Sequence, residues 1–327
     1  MIERRARISI EREVALWKGG RPLSAQATAR FKDMLDSRKD ELGASCIDRE
    51  VAQNSIEAKF SLISKESAAS TLRRFRQGLE RIAGAHGIEV CWTNQPNHAP
   101  SGHNEYFTTL AFPSLVDTFV HANSVHIHFE VSPEDAMNAY RQMNAIAPWF
   151  IVNSSHFGGG RGRLEMLGEF VRRFGDLAIP QDFRSIGEFA SYMADMSSGL
   201  ERMMGFGGAL DEAMERFPHM FDQDGRLALT PDKIFHPARI RPDLRLPNGN
   251  ISLEFRALDA MADIESEISM VLLATRTFDT IIRGANVMAT LQSSRDFLLS
   301  CARGRDINPD AVLLPESLHE ERRAVCG

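Results

Sequence analysis

Cysteine is scarce in this 327-residue chain: Cys46, Cys91, Cys301 and Cys326 are widely scattered and form no Cys-x-x-Cys pair. That spacing argues against a zinc ribbon or a disulfide framework, and the expectation is reduced thiols in a cytoplasmic protein. Long apolar runs are also missing. The longest, Met270–Ala274, falls far short of the ~20 residues that cross a bilayer, so no membrane partner is expected. The segment MIERRARISIEREVALW is charged throughout and lacks the apolar centre of a secretory leader. Positive charge is not in excess. With 38 Lys+Arg against 44 Asp+Glu the formal charge is −6, and no basic stripe marks a nucleic-acid partner. A phosphate-binding G-x-x-x-x-G-K-[ST], a G-x-G-x-x-G after a strand and a G-x-S-x-G elbow are absent, and no cysteine stands in a catalytic setting.

What is present is a globular composition, 43% hydrophobic and 25% charged, with no internal repeat or low-complexity linker. Alternating patterns predict strands over Arg7–Leu16, Ser55–Leu62, Ser124–Val131 and Ile251–Leu258. Helical stripes predict helices over about Ser67–Ala85, Ser185–Met203 and Asp263–Arg283. Another helix follows Ser132, where a capping serine, Pro133 and two acidic residues open it and Met137, Tyr140 and Met143 face inward. After about Arg303 the pattern decays into charge, so a single domain with a weakly structured tail is expected. Half-apolar strands separated by helices predict an α+β fold, an antiparallel sheet backed by helices.

Each strand carries an apolar and a charged face. Ile8, Ile10, Val14 and Leu16 oppose Glu11 and Glu13; Ile56, Ala58, Phe60 and Leu62 oppose Glu57 and Lys59. Val125, Ile127, Phe129 and Val131 oppose His126, His128 and Glu130; Ile251, Leu253, Phe255 and Ala257 oppose Glu254 and Arg256. If the strands share a sheet, the polar face gathers carboxylates that repel unless a proton or cation separates them. Oxygen donors with one or two histidines suit Mg²⁺ or Mn²⁺ better than zinc. Arg256 on the same face is placed to neutralise a phosphoryl group.

Ile8-Ser9-Ile10-Glu11-Arg12-Glu13 resembles the opening strand of the glutamate–cysteine ligases, within the carboxylate–amine ligase superfamily related to glutamine synthetase. Asn54-Ser55-Ile56-Glu57, Val125-His126-Ile127-His128, Asn153-Ser154-Ser155-His156-Phe157, Ile240-Arg241-Pro242 and Ser252–Asp259 resemble further elements of that superfamily, in family order. The resemblance implies a curved antiparallel sheet forming an active-site funnel. It also implies Mg²⁺ held by Glu11, Glu13, Glu57, Glu254 and His126, and ATP phosphates met by His126, His128, Arg241 and Arg256. Arg256, Arg241 and Arg163 become the catalytic arginines, with Arg161 or Arg163 meeting the substrate carboxylate. The implied reaction joins a small-molecule acid to an amine at the expense of ATP, through an acyl phosphate. The alternatives are a metal-dependent hydrolase or phosphotransferase on the same face, and a non-catalytic nucleotide- or metal-binding homologue. The acid, the amine and any assembly into a homo-oligomer stay open.

Overall fold

The computed structural model describes residues 7–50, 52–95, 122–158, 162–192, 236–241, 248–284 and 290–303. In chain order these form β1 (Arg7–Lys18), β2 (Arg21–Pro22), α1 (Ala25–Asp36), the single turn α2 (Lys39–Leu42), β3 (Cys46–Arg49), β4 (Ser55–Ser64), α3 (Lys65–Ala85) and β5 (Glu89–Cys91). Then come β6 (Ser124–Val131), α4 (Ala136–Gly158), α5 (Arg163–Phe174), β7 (Ala238–Arg241), β8 (Ile251–Asp259), α6 (Ile264–Ile282) and α7 (Leu291–Ala302). Of the expected helix Ser185–Met203, residues 193–203 lie outside the described residues, as do Arg161, Pro242 and the expected tail.

The strands form one eight-stranded sheet in the order β3-β4-β1-β6-β8-β7, with β2 and β5 added at the end of β1. Every pairing is antiparallel. This is the α+β architecture that the half-apolar strands predict. The central strands come from distant parts of the chain, so the sheet gathers side chains no local segment could bring together.

The apolar face is closed by helices. Phe60 meets Phe75 of α3 edge to face at 5.2 Å, Phe129 stacks on Phe278 of α6 at 4.2 Å, and Phe150 of α4 meets Phe255 at 5.2 Å. Met137, Tyr140 and Met143 are buried, as their stripe predicts. Ser64, Asp263 and Thr290 cap α3, α6 and α7 by accepting a backbone N–H three residues on.

Two bulges depart from simple alternation. Ile8 pairs with Ile63 but Ile10 pairs with Phe60, which leaves one extra residue in β4 at Ser61–Leu62. Leu62, expected inward, is instead 43% exposed in a left-handed conformation (φ 52°), and its N–H is held by Ser9 Oγ at 3.0 Å. The extra residue reverses the parity, and Ile63 takes the inward place. The second bulge puts Arg256 and Ala257 of β8 opposite His126, because Val125 pairs with Leu258 and Ile127 with Phe255. Beyond it, Asp259 faces Ser124.

Arg12 shares the parity of Ile10 and Val14, yet it is the largest fully buried side chain among the described residues. Its Nε donates to Glu267 Oε1 at 2.8 Å, and its guanidinium also bonds the carbonyls of Trp92 and Glu13. The other Glu267 oxygen accepts the Met261 N–H at 3.0 Å. A buried charge is tolerated only with this degree of pairing.

Candidate metal and anion site

Register places the polar residues of the central strands in rows across one sheet face. Glu11 of β1 faces Lys59 of β4 and His126 of β6; Glu13 faces Glu57; His128 faces Glu254 of β8. Among the described residues three groups each bring their donor atoms within 4.8 Å of one another: Glu11, His128 and Glu254; Glu11, Glu57 and His126; Glu13, Glu50 and Glu57. The four carboxylates expected as metal ligands and both histidines are thus neighbours, whereas Glu130 of the same face lies apart and accepts from Asn248 and Asn250. Glu50, just past β3, joins them without any periodic signal in the sequence.

The two histidines are held differently. Arg163 donates to His126 Nε2 at 3.2 Å, so that nitrogen accepts and Nδ1 turns to Glu11 Oε2 at 3.3 Å. His128 Nδ1 lies 3.0 Å from Ser252 Oγ, and its Nε2, 3.4 Å from Glu11 Oε1, is buried without a hydrogen-bond partner among the described residues. An imidazole anchored through one nitrogen and presenting the other to carboxylates has the form of a metal ligand with its outer support. The donor set therefore fits a hard divalent cation, with Glu11, Glu57, Glu254 and His128 foremost.

Electrostatics divide the face in two. On the β4 side, burial and the charges of Glu11 and Glu50 push the Glu57 carboxyl well above the usual carboxylate range, although Lys59 sits 3.0 Å away. Burial also works against ionisation of Glu11, but the hydrogen bond from His126 and the facing imidazole of His128 outweigh it and hold this carboxylate low. Burial pulls His126 below its ordinary value.

The β8 side is rich in guanidinium. Arg239 of β7 grips both oxygens of Glu254, through Nε at 2.7 Å and an amino nitrogen at 2.9 Å. Arg241 reaches the same carboxylate at 3.2 Å and Arg256 at 3.3 Å. Burial opposes the charge on Glu254, but Arg239 above all keeps it ionised and its carboxyl below the usual range. Arg239 escaped the sequence analysis; it stands two residues before Arg241 on the same strand parity, a signal that four residues of edge strand are too short to reveal.

Arg163 is set by its backbone. It opens α5, and its N–H donates to Asp259 at 2.9 Å and 3.1 Å, while Ser155 Oγ donates to the same carboxylate at 2.5 Å. Gly162 precedes it because a Cβ there would stand 2.6 Å from Asn94 Nδ2 and 2.7 Å from Asp259 Oδ2. The guanidinium bonds Ser124 and His126, and burial followed by the charge of Arg256 brings its pKa down to about 10. Burial raises Asp259 despite the charge of Arg163.

A cavity of about 50 Å³ lies among Glu13, Glu50, Ser55, Ser124, Arg163 and Arg256, with carboxylates and guanidiniums both in its wall. A wider groove of about 240 Å³ opens beside Glu11, lined by Ser9, Lys59, Leu62, His128 and Ser252 among others. Glu11 and Glu13, adjacent on one side of β1, thus each border a different space. Such a face can bind cations, screen an anion between cation and guanidinium, and hold two small reactants in separate recesses.

No protein-family model matches the sequence, and no curated protein matches it either. Solved structures do match in fold. The glutamate–cysteine ligase of Francisella tularensis, determined with AMP, superposes with a TM-score of 0.50 at 12% identity, over 98% of this chain and 78% of that one. A bifunctional glutathione synthetase from Pasteurella multocida superposes with a TM-score of 0.49 at 9% identity, over 91% of this chain. The chain covers 40% of the length of that synthetase. The likeness to the Francisella enzyme establishes the fold: an open antiparallel sheet backed by helices, shared with a glutamate–cysteine ligase.

Proposed function

We propose that this protein is an ATP-dependent carboxylate–amine ligase. The observation that carries the reading is the division of one sheet face into a carboxylate–histidine half on β1, β4 and β6 and a guanidinium half on β7, β8 and α5. Glu254 touches both halves, 3.7 Å from His126 and 2.7 Å from Arg239. Activating a carboxylic acid with a nucleoside triphosphate asks for that pairing, cations on one side of a polyphosphate and fixed positive charge on the other. The likeness of fold to a glutamate–cysteine ligase supports the same reaction.

In this reading Glu11, Glu13, Glu57, Glu254 and the two histidines hold Mg²⁺ or Mn²⁺, which when bound neutralises phosphate charge. The substrate carboxylate attacks the γ-phosphorus of ATP, the bond to the β–γ bridging oxygen breaks, and ADP leaves. The amine then attacks the acyl carbon, and phosphate departs as the amide forms. In the same reading Arg256 and Arg241 meet the transferring phosphoryl group, and Arg163, in the wall of the smaller cavity, meets the acid. The protein contributes position and charge, with no covalent nucleophile.

Purified protein with Mg²⁺, ATP and panels of acids and amines tests the reading. ADP and phosphate release that depends on both acid and amine, with ¹⁸O passing from the acid into phosphate, is expected. Phosphate release without amide would instead mark a hydrolase, and no turnover with nucleotide bound would mark a binding protein.

A further inference from the structure

Glu254 has two competing uses. Its carboxylate belongs to the donor group with Glu11 and His128, yet both its oxygens are engaged by Arg239, and Arg241 and Arg256 approach as well. A carboxylate chelated by a guanidinium fork offers a metal ion little of its charge. The fork is firmly set. Arg239 and Glu254 are register partners on β7 and β8, their side chains 4% and 1% exposed. The preceding residue of β7, Ala238, is clamped by Asn144 of α4, which donates to its carbonyl and accepts its N–H, each at 2.9 Å. Three guanidiniums converge on this one carboxylate, donors that the oxygens of a polyphosphate can also engage.

We infer that Arg239 withholds Glu254 from the divalent metal until phosphate oxygens take the guanidinium over, so that the metal at Glu11, His128 and Glu254 binds together with the nucleotide. The inference rests on the proposed use of a metal-bound nucleotide and adds an order to it: phosphate first exchanges for Glu254 on Arg239, and Glu254 then turns to the metal. The turn to the metal is short, because the carboxylate already lies within 4.8 Å of the other two donors.

Equilibrium dialysis with Mn²⁺ reads this without turnover, in the absence of acid and amine. For the wild type, adding the non-hydrolysable analogue AMP-PNP should raise the metal bound per chain by one beyond that carried by the analogue's own chelation. Arg239→Gln should take up that additional Mn²⁺ without nucleotide, with an affinity on the order of tenfold above the wild type at this site, the scale of effects from residues that orient ligands. Arg239→Lys, which keeps the charge but contacts a single oxygen, should fall between. Adding Glu254→Gln to either variant should abolish the gain. Circular dichroism establishes folding, and if Arg239→Gln does not fold, Arg239→Lys decides by the same criterion. Wild-type stoichiometry in the folded variant, a wild type already saturated without nucleotide, or no additional metal with AMP-PNP each overturns the inference. Failure of ligase turnover alone, with these metal counts as expected, would overturn the ligase reading and leave Arg239 in its role.

Discussion

Arg12 and Glu267 meet at 2.8 Å, each about 1% exposed, on the side of the sheet opposite the carboxylate–histidine face. Arg12 lies between Glu11 and Glu13 on β1 and also donates to the Glu13 carbonyl, so the pair ties the strand that carries two site carboxylates to the start of α6. Removing one partner leaves the other charged and buried, at a cost of about 3–5 kcal/mol. Glu267→Gln and Arg12→Met should each lower the urea midpoint accordingly, and Arg12→Met/Glu267→Leu should recover most of the loss. Single variants within about 0.5 kcal/mol of wild type, the range of ordinary surface changes, would show that the pair is not the anchor described.

Glu254→Gln and Arg256→Lys test the chemistry. The first keeps size and removes the anion at the junction of the two halves, so ATP-dependent turnover should collapse; because it also breaks the buried pair with Arg239, a lowered urea midpoint is expected, and turnover is compared well below that midpoint. The second keeps charge and loses the planar fork; kcat should fall on the order of a hundredfold, as for loss of a preorganised donor, with a smaller change in KM for ATP. Steady-state kinetics at several Mg²⁺ concentrations check both, and unchanged kcat in either variant contradicts its assigned role.

Gly162→Ala should disturb the site through packing. The new methyl group would stand 2.6 Å from Asn94 Nδ2 and 2.7 Å from Asp259 Oδ2, both held in the buried hydrogen-bond network that seats the Arg163 N–H. A loss of about 1–3 kcal/mol is expected, typical of overpacking. Because Arg163 follows directly, KM for the acid should rise more than KM for ATP; a wild-type melting curve and unchanged kinetics would rule this out.

Metal binding should release a proton. Burial, Glu11 and Glu50 raise the Glu57 carboxyl in the metal-free protein, so it holds its proton at pH values where an ordinary glutamate has lost it. A cation needs the carboxylate, so binding expels that proton. Apparent affinity should therefore be weak at low pH, climb as pH rises toward the elevated Glu57 value and level off above it. Calorimetric Mg²⁺ titrations in two buffers of different ionisation enthalpy count the proton. In Glu57→Gln the release should vanish; its persistence would assign the proton to another group.

Much of the site face was legible from alternation alone. The period of two put Glu11 and Glu13, Glu57, His126 and His128, and Glu254 opposite apolar residues, and the sheet brings those side chains together. Apolar strand faces and helical stripes come from nearest neighbours in the chain, so they can be read without knowing what packs where. Parity failed where a bulge inserts a residue. Leu62 turned outward, and Asp259 came to face Ser124 and seat α5, because an extra residue changes the face of everything beyond it.

The sequence by itself determined the four long strands, most of their polar and apolar faces, the antiparallel helix-backed sheet and the residue types that suit a hard cation. Only the tertiary structure decided which of these charges meet. Glu50 joins Glu57 through the β3–β4 connection, Arg239 finds Glu254 through the register of an edge strand, and Arg12 finds Glu267 across the core. The reason is range. Amphipathic patterning is written in neighbouring residues, whereas an ion pair depends on strand order, register and bulges, which are settled when distant segments pack and their buried charges must find partners.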